Sequence, residues 1–578
     1  MNLIKQLCKK LPFQTCLSLL TATLVLVLPT SRGLGQEKTV RTDKFRQLEE
    51  ILPTPNERRT ASGAPGPAYW QQQADYVIDV EVNEKTHQVI GSETITYTNN
   101  SPHELSYLWL QLDPNLFSKH SFTPLADEAP ELADISYRRL KGILYRSEFD
   151  GSITVSSVKD RDGKPLPHTL VKTMMRVDLP APLKSGKAFT FSVAWSYTLV
   201  DLKKIRARSG QEVLEDGNAI YSVAQWYPRM CAYTDVHGWR HRQYIGGGEF
   251  TLEFGDFLVK ITAPEDHIVA STGMLQNPED VLTADQRKRL GAAAVAKKPV
   301  LIVTSEEAAE NRKKKAEGTK TWVYHARNVR DFAFATSRAF VWDAMPSKGE
   351  GFSTMCMSYF PAEAMPLWDR YATHATAQTI EVYSRHTVPY PWPVAISVNS
   401  PVGGMEYPMI HFTGARPEKD GTYSEGKKYG MISVVIHEVG HNFFPMIVNS
   451  DEREWIWMDE GFNTFMQYIT EHEWSQKYPA RRGSPRTIGN YMKSAYQVPI
   501  MTSADSLIQS SANAYSKTAA GLIILRETIL GRELFDFAFK EYARRWKFKR
   551  PMPADFFRTM EDASGVDLDW FFRGWFYT

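Results

Sequence analysis

Two histidines flank a glutamate in the segment Ile436-His-Glu-Val-Gly-His441, inside the apolar run 431–446. His437 and His441 are four residues apart, so on a helix their side chains project from one face and can bind the same cation. Glu438 is offset from His437 by about 100° around the helix, where its carboxylate can reach a water molecule without being a ligand. The pattern predicts a metal site with Glu438 as catalytic base. From these residues alone, a helix whose histidines make only structural contacts is the alternative.

A second acidic segment supplies a candidate third ligand. Glu460 follows His441 after 18 intervening residues and begins an apolar helical pattern. A carboxylate there can fold back to complete the His₂Glu set typical of catalytic zinc, which leaves one position open for water. Asp459 is a competing carboxylate, and either acid could instead stabilise a helix N-terminus through the dipole. The spacing favours Glu460, and we predict one zinc ion per chain bound by His437, His441 and Glu460.

The ligand types point to hydrolysis. Imidazole and carboxylate ligands suit zinc, which lowers the pKa of bound water to about 7. Glu438 would then take the proton as water attacks a peptide carbonyl and deliver it to the leaving amine. A structural zinc site would need four protein ligands, commonly cysteines, and the sequence shows no such set.

The elements that must position these residues fall into two regions. Between Tyr69 and about residue 360, apolar and polar residues alternate in many short runs separated by turns, which is typical of antiparallel strands. The predicted strands are 76–82, 89–97, 105–112, 151–158, 169–179, 188–197, 249–262 and 322–324, with a helical insertion near 278–296. After residue 360, apolar residues recur every three or four positions and predict helices over 361–385, 427–446, 460–474 and 517–530. The chain is predicted to have an α+β fold, with a β domain over 67–360 and a mainly helical catalytic domain over 361–578.

Three motifs in this order resemble those of the M1 family of zinc aminopeptidases, the group that includes aminopeptidase N and leukotriene A4 hydrolase. The first is the histidine pair with Glu460. The second is Gly403-Gly-Met-Glu-Tyr407, similar to the family's Gly-x-Met-Glu-Asn motif, and the third is Tyr515-Ser-Lys517, similar to its Tyr-x-Lys segment. The resemblance implies a saddle-shaped N-terminal β domain and a thermolysin-like zinc-peptidase domain.

The resemblance also implies roles for the matching residues. Glu406 would bind the free α-ammonium of a peptide, and Gly403, Gly404 and Met405 would line the substrate site beside it. Tyr515 would donate a hydrogen bond to the oxyanion of the tetrahedral intermediate. Gln225, in the segment Gln225-Trp-Tyr-Pro228, is similar to a part of the β domain that faces the cleft. Together these residues imply an aminopeptidase acting on peptides with a free N-terminus.

The sequence departs from the family pattern in two places. Tyr407 stands where the family has asparagine and is followed by Pro408. The chain ends at Thr578 without the long C-terminal helical domain common in the family, so we expect a cleft that is more open or that is closed by oligomerisation. The open alternatives are a zinc endopeptidase, an epoxide hydrolase using the same metal, and an inactive peptide-binding module.

Composition and the N-terminal segment limit the partners and the location that we expect for the protein. The formal charge is +2, from 68 basic and 66 acidic residues, which gives no electrostatic reason to expect nucleic acid as a partner. Residues 1–35 have the basic start, apolar stretch and small residues of an export signal, and 36–66 are predicted to be a flexible linker. We expect an exported protein, periplasmic or extracellular, without a stable membrane anchor. Cys231 and Cys356 would remain after processing, either paired or as separate thiols.

Overall fold

The computed structural model describes residues 47–126 and 133–578. The predicted export signal and the first part of the predicted linker lie outside the described residues. The rest of that segment contacts the body of the protein: Leu48 is buried, and Arg59 makes ion pairs with Asp235 and Asp555. The predicted linker and domain boundaries stay predictions.

The described residues contain 23 strands, most of them before residue 362. They are β1 (Gln73–Asn83), β2 (Gln88–Asn99), β3 (Leu105–Gln111), β4 (Thr154–Asp160), β5 (His168–Val171), β6 (Met174–Leu183), β7 (Lys187–Thr198), β8 (Gly210–Val213), β9 (Ala219–Val223), β10 (Arg229–Met230), β11 (Tyr233–Thr234), β12 (Gly238–Trp239), β13 (Gly255–Pro264), β14 (Ile268–Ser271), β15 (Met274–Leu275), β16 (Val300–Val303), β17 (Thr319–Val329), β18 (Phe334–Ser337), β19 (Phe340–Gly349), β20 (Phe352–Pro361), β21 (Val394–Asn399), β22 (Gly404–Tyr407) and β23 (Ile410–Thr413).

Thirteen α-helices occur in the same described ranges, and the longest ones follow residue 367. They are α1 (Thr123–Ala126), α2 (Tyr137–Glu148), α3 (Pro278–Val281), α4 (Ala284–Ala293), α5 (Ser305–Lys314), α6 (Trp368–His386), α7 (Glu425–Gly440), α8 (Glu460–Trp474), α9 (Gly489–Met492), α10 (Thr518–Ile524), α11 (Arg532–Trp546), α12 (Pro553–Ser564) and α13 (Asp569–Phe576). Two π-helical turns, Ser511–Lys517 and Leu525–Ile529, flank α10.

The main sheets of the described residues confirm the α+β prediction. One sheet has the order β15-β17-β13-β1-β2-β7-β4, and a second has the order β16-β19-β20-β21-β23-β22. In the first, β1 and β2 pair antiparallel from Gln73 opposite Thr98 to Asn83 opposite Gln88. Alternate residues of β1 are buried, as expected for a strand with one face on the core.

Three predicted elements differ from the structure. The predicted strand 169–179 is divided into β5 and β6, because Lys172 adopts a left-handed φ of 56° that ends the extended run. The predicted strand 249–262 begins only at Gly255, and the predicted helix 278–296 is split before Thr283, which caps α4. The region after residue 360 also contains three strands, β21 to β23, that the helical pattern did not indicate. They extend the sheet of β16, β19 and β20, so hydrogen bonds of one sheet join residues on both sides of position 360.

A single cluster of buried apolar side chains runs from Leu48 to Phe576 and joins the strands to the helices. Cys231 and Cys356 are both buried free thiols, so of the two possibilities the structure shows separate cysteines. Among the described residues, no helix combines the length and apolarity needed to cross a lipid bilayer.

Candidate metal centre

Two packed helices position the candidate metal ligands. Helix α7 carries His437 and Glu438 and ends at Gly440, with His441 as its C-cap, while α8 begins at Glu460. Asn463 Nδ2 donates a hydrogen bond of 2.7 Å to the carbonyl oxygen of His437, which fixes the start of α8 against the end of α7. Position 440 must be glycine for this packing, because a Cβ there would overlap the side chains of Asn463 and Tyr383.

The three predicted ligands converge on one point. His437 Nε2 lies 3.1 Å from His441 Nε2 and 3.0 Å from Oε2 of Glu460, and His441 Nε2 lies 3.4 Å from the same oxygen. Tetrahedral ligands at zinc distances of about 2.0–2.1 Å would be about 3.3 Å apart, so the spacing suits zinc. All three residues are buried.

Each histidine is oriented by a partner on its other ring nitrogen. His437 Nδ1 lies 2.9 Å from Oε1 of Gln467, which can only accept, so Nδ1 carries the proton and Nε2 is free to bind a metal. His441 Nδ1 lies 2.7 Å from Oδ1 of Asp459 and 2.9 Å from the carbonyl oxygen of Phe444. Such partners fix the ring and raise its basicity as a metal ligand. The competing carboxylate Asp459 therefore contacts the outer nitrogen of His441, whereas Glu460 lies at the inner nitrogens of both histidines.

Glu438 lies beside the ligands with one oxygen unengaged. It is 5% exposed, and its Oε2 is buried without a hydrogen-bond partner among the described residues. Oε1 lies against Gly404, where a Cβ would overlap it. The glycine of the second motif thus leaves room for the carboxylate that was predicted to be the base.

Tyr515 reaches the centre from a π-helical turn, a distortion that is frequent at functional sites. Its hydroxyl donates to Oε1 of Glu460. Its ring stacks on His437 with centroids 5.6 Å apart, and the Arg482 guanidinium lies 4.4 Å from the centre of the Tyr515 ring. Burial and the charge of Glu460 raise the pKa of the phenol well above its usual value, so Tyr515 stays a hydrogen-bond donor at neutral pH.

The β domain and the second motif form the opposite side of the cleft. Gln225 follows β9 with a left-handed φ of 53° and donates a hydrogen bond of 3.1 Å from Nε2 to the hydroxyl of Tyr407. Glu406 lies in β22, and one of its oxygens, one of Glu438 and a ring nitrogen of His441 lie within 4.8 Å of one another. The structure therefore brings all the sequence-predicted site residues to one cleft.

This cleft has a volume of about 580 Å³ and is lined by every predicted site residue. It also contains an ion pair that the sequence did not indicate: Arg208 donates to both oxygens of Glu249, with Nη2 2.6 Å from Oε1. No local pattern marks these two residues, because they are 41 positions apart and meet only in the folded chain.

The acidic side chains of the site differ in the direction of their pKa shifts. Burial opposes ionisation of Glu460, but the charge on His441 and the contacts with both imidazoles lower its pKa. Burial raises the pKa of Glu406 to about 8. The negative charges of Glu249 and Glu460 act in the same direction, and the charge of His441 acts against them. Burial and the charge of Glu406 raise the pKa of Glu438 well above its usual value. Glu406 and Glu438 therefore disfavour ionisation side by side, and a cation bound between them would stabilise their charged forms.

The helical region matches a family model. Residues 371–575 match the Peptidase family M1 domain. Aminopeptidase M1 of Arabidopsis thaliana is 23% identical over 219 residues, which are 36% of this chain and 25% of that protein. Aminopeptidase N of Lactococcus lactis is 24% identical over 225 residues, 36% of this chain and 26% of the relative. The chain thus matches about a quarter of the length of these curated relatives.

Solved structures share the architecture over nearly the whole chain. The M1 zinc metallopeptidase of Deinococcus radiodurans has a TM-score of 0.57 at 16% identity, covering 89% of this chain and 97% of that one. A mutant of that protein has been solved bound to the substrate Tyr-Ser-Ala. The fold is therefore shared by residues well outside the segment that the family model matches, and the predicted resemblance to M1 peptidases is confirmed.

Proposed function

We propose that this chain, which carries a domain of peptidase family M1, is a zinc-dependent aminopeptidase that removes single residues from the free N-terminus of peptides. The main observation behind this proposal is the position of Glu406 beside Glu438 and His441. One carboxylate oxygen of each glutamate and a ring nitrogen of His441 lie within 4.8 Å of one another. An ammonium group bound at Glu406 would lie next to the reacting groups, so only the first peptide bond of a substrate could reach them.

The donor set supports zinc as the cofactor, because two imidazoles and a carboxylate converge with both outer nitrogens already bonded. A zinc ion bound by His437, His441 and Glu460 would supply Lewis acidity and make water a nucleophile near neutral pH.

The chain's own residues account for the proton transfers. Glu438 accepts a proton from the attacking water at its unengaged oxygen and delivers it to the leaving nitrogen. Burial and the charge of Glu406 raise its pKa, and an ammonium bound between the two carboxylates would offset their repulsion. The uncharged phenol of Tyr515 donates to the oxygen that becomes negative as water adds.

Gln225 and Glu406 together select the free amine. Glu406 accepts hydrogen bonds from an ammonium, and the amide oxygen of Gln225 can accept a further one while its Nε2 donates to Tyr407. A blocked N-terminus has neither the charge nor the donors, and it would leave Glu406 buried and unpaired.

The test compares Tyr-Ser-Ala with N-acetyl-Tyr-Ser-Ala on the zinc-loaded protein. We expect release of tyrosine from the free peptide, loss of release with a chelator and its recovery with added zinc. The acetylated peptide should be cleaved at least about 100-fold more slowly. Equal cleavage of both peptides would indicate an endopeptidase, and binding of zinc without cleavage of either would indicate a peptide-binding module.

A further inference from the structure

Three carboxylates from distant parts of the sequence meet away from the catalytic cleft. Glu49 lies in the turn Leu48–Glu50, Glu561 in the last turn of α12, and Asp569 at the first position of α13. Each offers one oxygen, and the three oxygens lie within 4.8 Å of one another. A cluster of acids alone is common on protein surfaces, so further observations decide whether this one binds a cation.

Asp569 supplies the independent observation. The residue is only 9% exposed, and its Oδ1 is buried without a hydrogen-bond partner among the described residues. An ionised carboxylate oxygen that has lost water and gained no donor is costly. One oxygen of the same carboxylate lies within 4.8 Å of an oxygen of Glu49 and one of Glu561, so a cation held by the three acids would compensate this carboxylate.

In the part of the chain that the structure describes, the acids of this cluster outnumber the basic groups beside them. Arg558 Nη2 lies 3.5 Å from Oε2 of Glu49 and donates to the carbonyl oxygen of Pro53 at 2.9 Å. Asp567 adds a fourth negative charge that acts on Glu561, and burial together with these neighbours raises the pKa of Glu561 to about 7. Within residues 47–126 and 133–578, the ion pair of this cluster is the one between Arg558 and Glu49, while four carboxyl groups lie close together.

We propose that Glu49, Glu561 and Asp569 form a calcium site that fastens the segment around Leu48 to helices α12 and α13. All candidate ligands are oxygens, which hard cations prefer, whereas zinc and copper favour imidazole or thiolate ligands. Calcium accepts an irregular set of six to eight oxygens, and the exposed side of Glu49 leaves room for water ligands. Magnesium demands a nearly regular octahedron.

The proposed site joins the turn Leu48–Glu50 to helices α12 and α13, away from the catalytic cleft. Leu48 is fully buried and Leu52 is 7% exposed, so release of this segment would uncover apolar surface. None of the three acids lines the cleft. Calcium should therefore stabilise the fold without supplying a catalytic group, and its affinity should be in the range of about 10⁻⁴–10⁻³ M found in extracellular modules.

The test is a calcium titration of the full, zinc-loaded chain after calcium has been removed on a chelating resin. Calorimetry with CaCl₂ should show one ion bound per chain, and about 5 mM CaCl₂ should raise Tm by about 2 °C. The same concentration of MgCl₂ should raise it less. The absence of calcium binding would overturn the site, and an equal response to magnesium would overturn the choice of calcium.

Conservative variants separate metal binding from a structural role. Glu561→Gln and Asp569→Asn should lose calcium binding and the rise in Tm. Without calcium they should melt no lower than the parent chain, because each removes a charge that its neighbours repel. Asp562→Asn is the matched control, since Asp562 directly follows Glu561 on α12 but pairs with Arg545. Calcium binding by the two variants, or its loss in the control, would contradict the proposal.

Discussion

The two sides of the cleft hold their acidic groups in opposite ways. On the metal wall, defined as His437, His441 and Glu460, every ligand has a second partner from the same helical region: Gln467, Asp459 and Tyr515. On the amine wall, defined as Gln225, Gly404, Glu406 and Tyr407, strand β22 meets the β domain and leaves Glu406 and Glu438 as uncompensated neighbours.

The comparison shows how one cleft can serve two cations. The metal wall is preorganised because its ligands are oriented before any ion arrives, which lowers the cost of binding. On the amine wall, burial and neighbouring acids disfavour ionisation of Glu406, and a bound ammonium would favour its charged form. The metal wall is thus oriented by partners within the protein, whereas the charge of the amine wall depends on a bound ligand.

The largest effect is expected from Glu438→Gln, because the amide fills the same space beside Gly404 but cannot take a proton. Turnover of a free-amine peptide should fall about a thousandfold, while zinc content stays unchanged because the metal wall is intact. Zinc analysis and peptide assays measure both. Activity within tenfold of the parent chain would remove Glu438 from the mechanism.

Gly404→Ala tests how the amine wall places the base. The new Cβ would overlap Oε1 of Glu438, and a shift of about 1 Å in a reacting group can reduce the rate about 100-fold. The added methyl displaces only the end of a side chain, so Tm should change little. Gly403→Ala is the matched control, since no heavy atom lies within 4 Å of a Cβ there. Similar activity in the two variants would show that Glu438 does not depend on this glycine.

Asp459→Asn tests the preorganisation of the metal wall. Asparagine has the same shape beside His441 Nδ1 but lacks the charge, so zinc affinity should fall about tenfold or more. Competition with a chromophoric chelator measures the affinity directly. Gln467→Met, which removes a neutral partner from His437, should weaken zinc binding less. An equal loss in both variants would mean that charge behind the histidine is not what matters.

Tyr407→Phe should have the smallest effect. It removes the acceptor of the Gln225 amide but keeps the ring packed near Phe412, with centroids 5.9 Å apart. Loss of one hydrogen bond should raise KM about fivefold and change kcat less. Tyr244→Phe is the control, because that hydroxyl also belongs to the cleft yet has no hydrogen-bond partner among the described residues. A raised KM in both variants would point to a general change in the cleft.

The sequence alone predicted the members of the metal wall. His437 and His441 share a helix face because of the 3.6-residue period, and Glu460 begins the next helix, so local structure is enough to propose this ligand set. The alternation of strands such as β1 also follows from local periodicity. Strands β21 to β23 were missed, because they are short and fully or mostly buried, and short apolar runs lack a period that separates strand from helix.

Tertiary structure decided what surrounds the metal ligands. Asp459 was a rival ligand in the sequence, and only the packing of α8 on α7 turned it towards the outer nitrogen of His441. Gln225 and Tyr407 are 182 positions apart, so no local pattern could pair them. Local periodicity fixes which face a side chain occupies, whereas hydrogen bonds between distant segments depend on how whole sheets and helices pack.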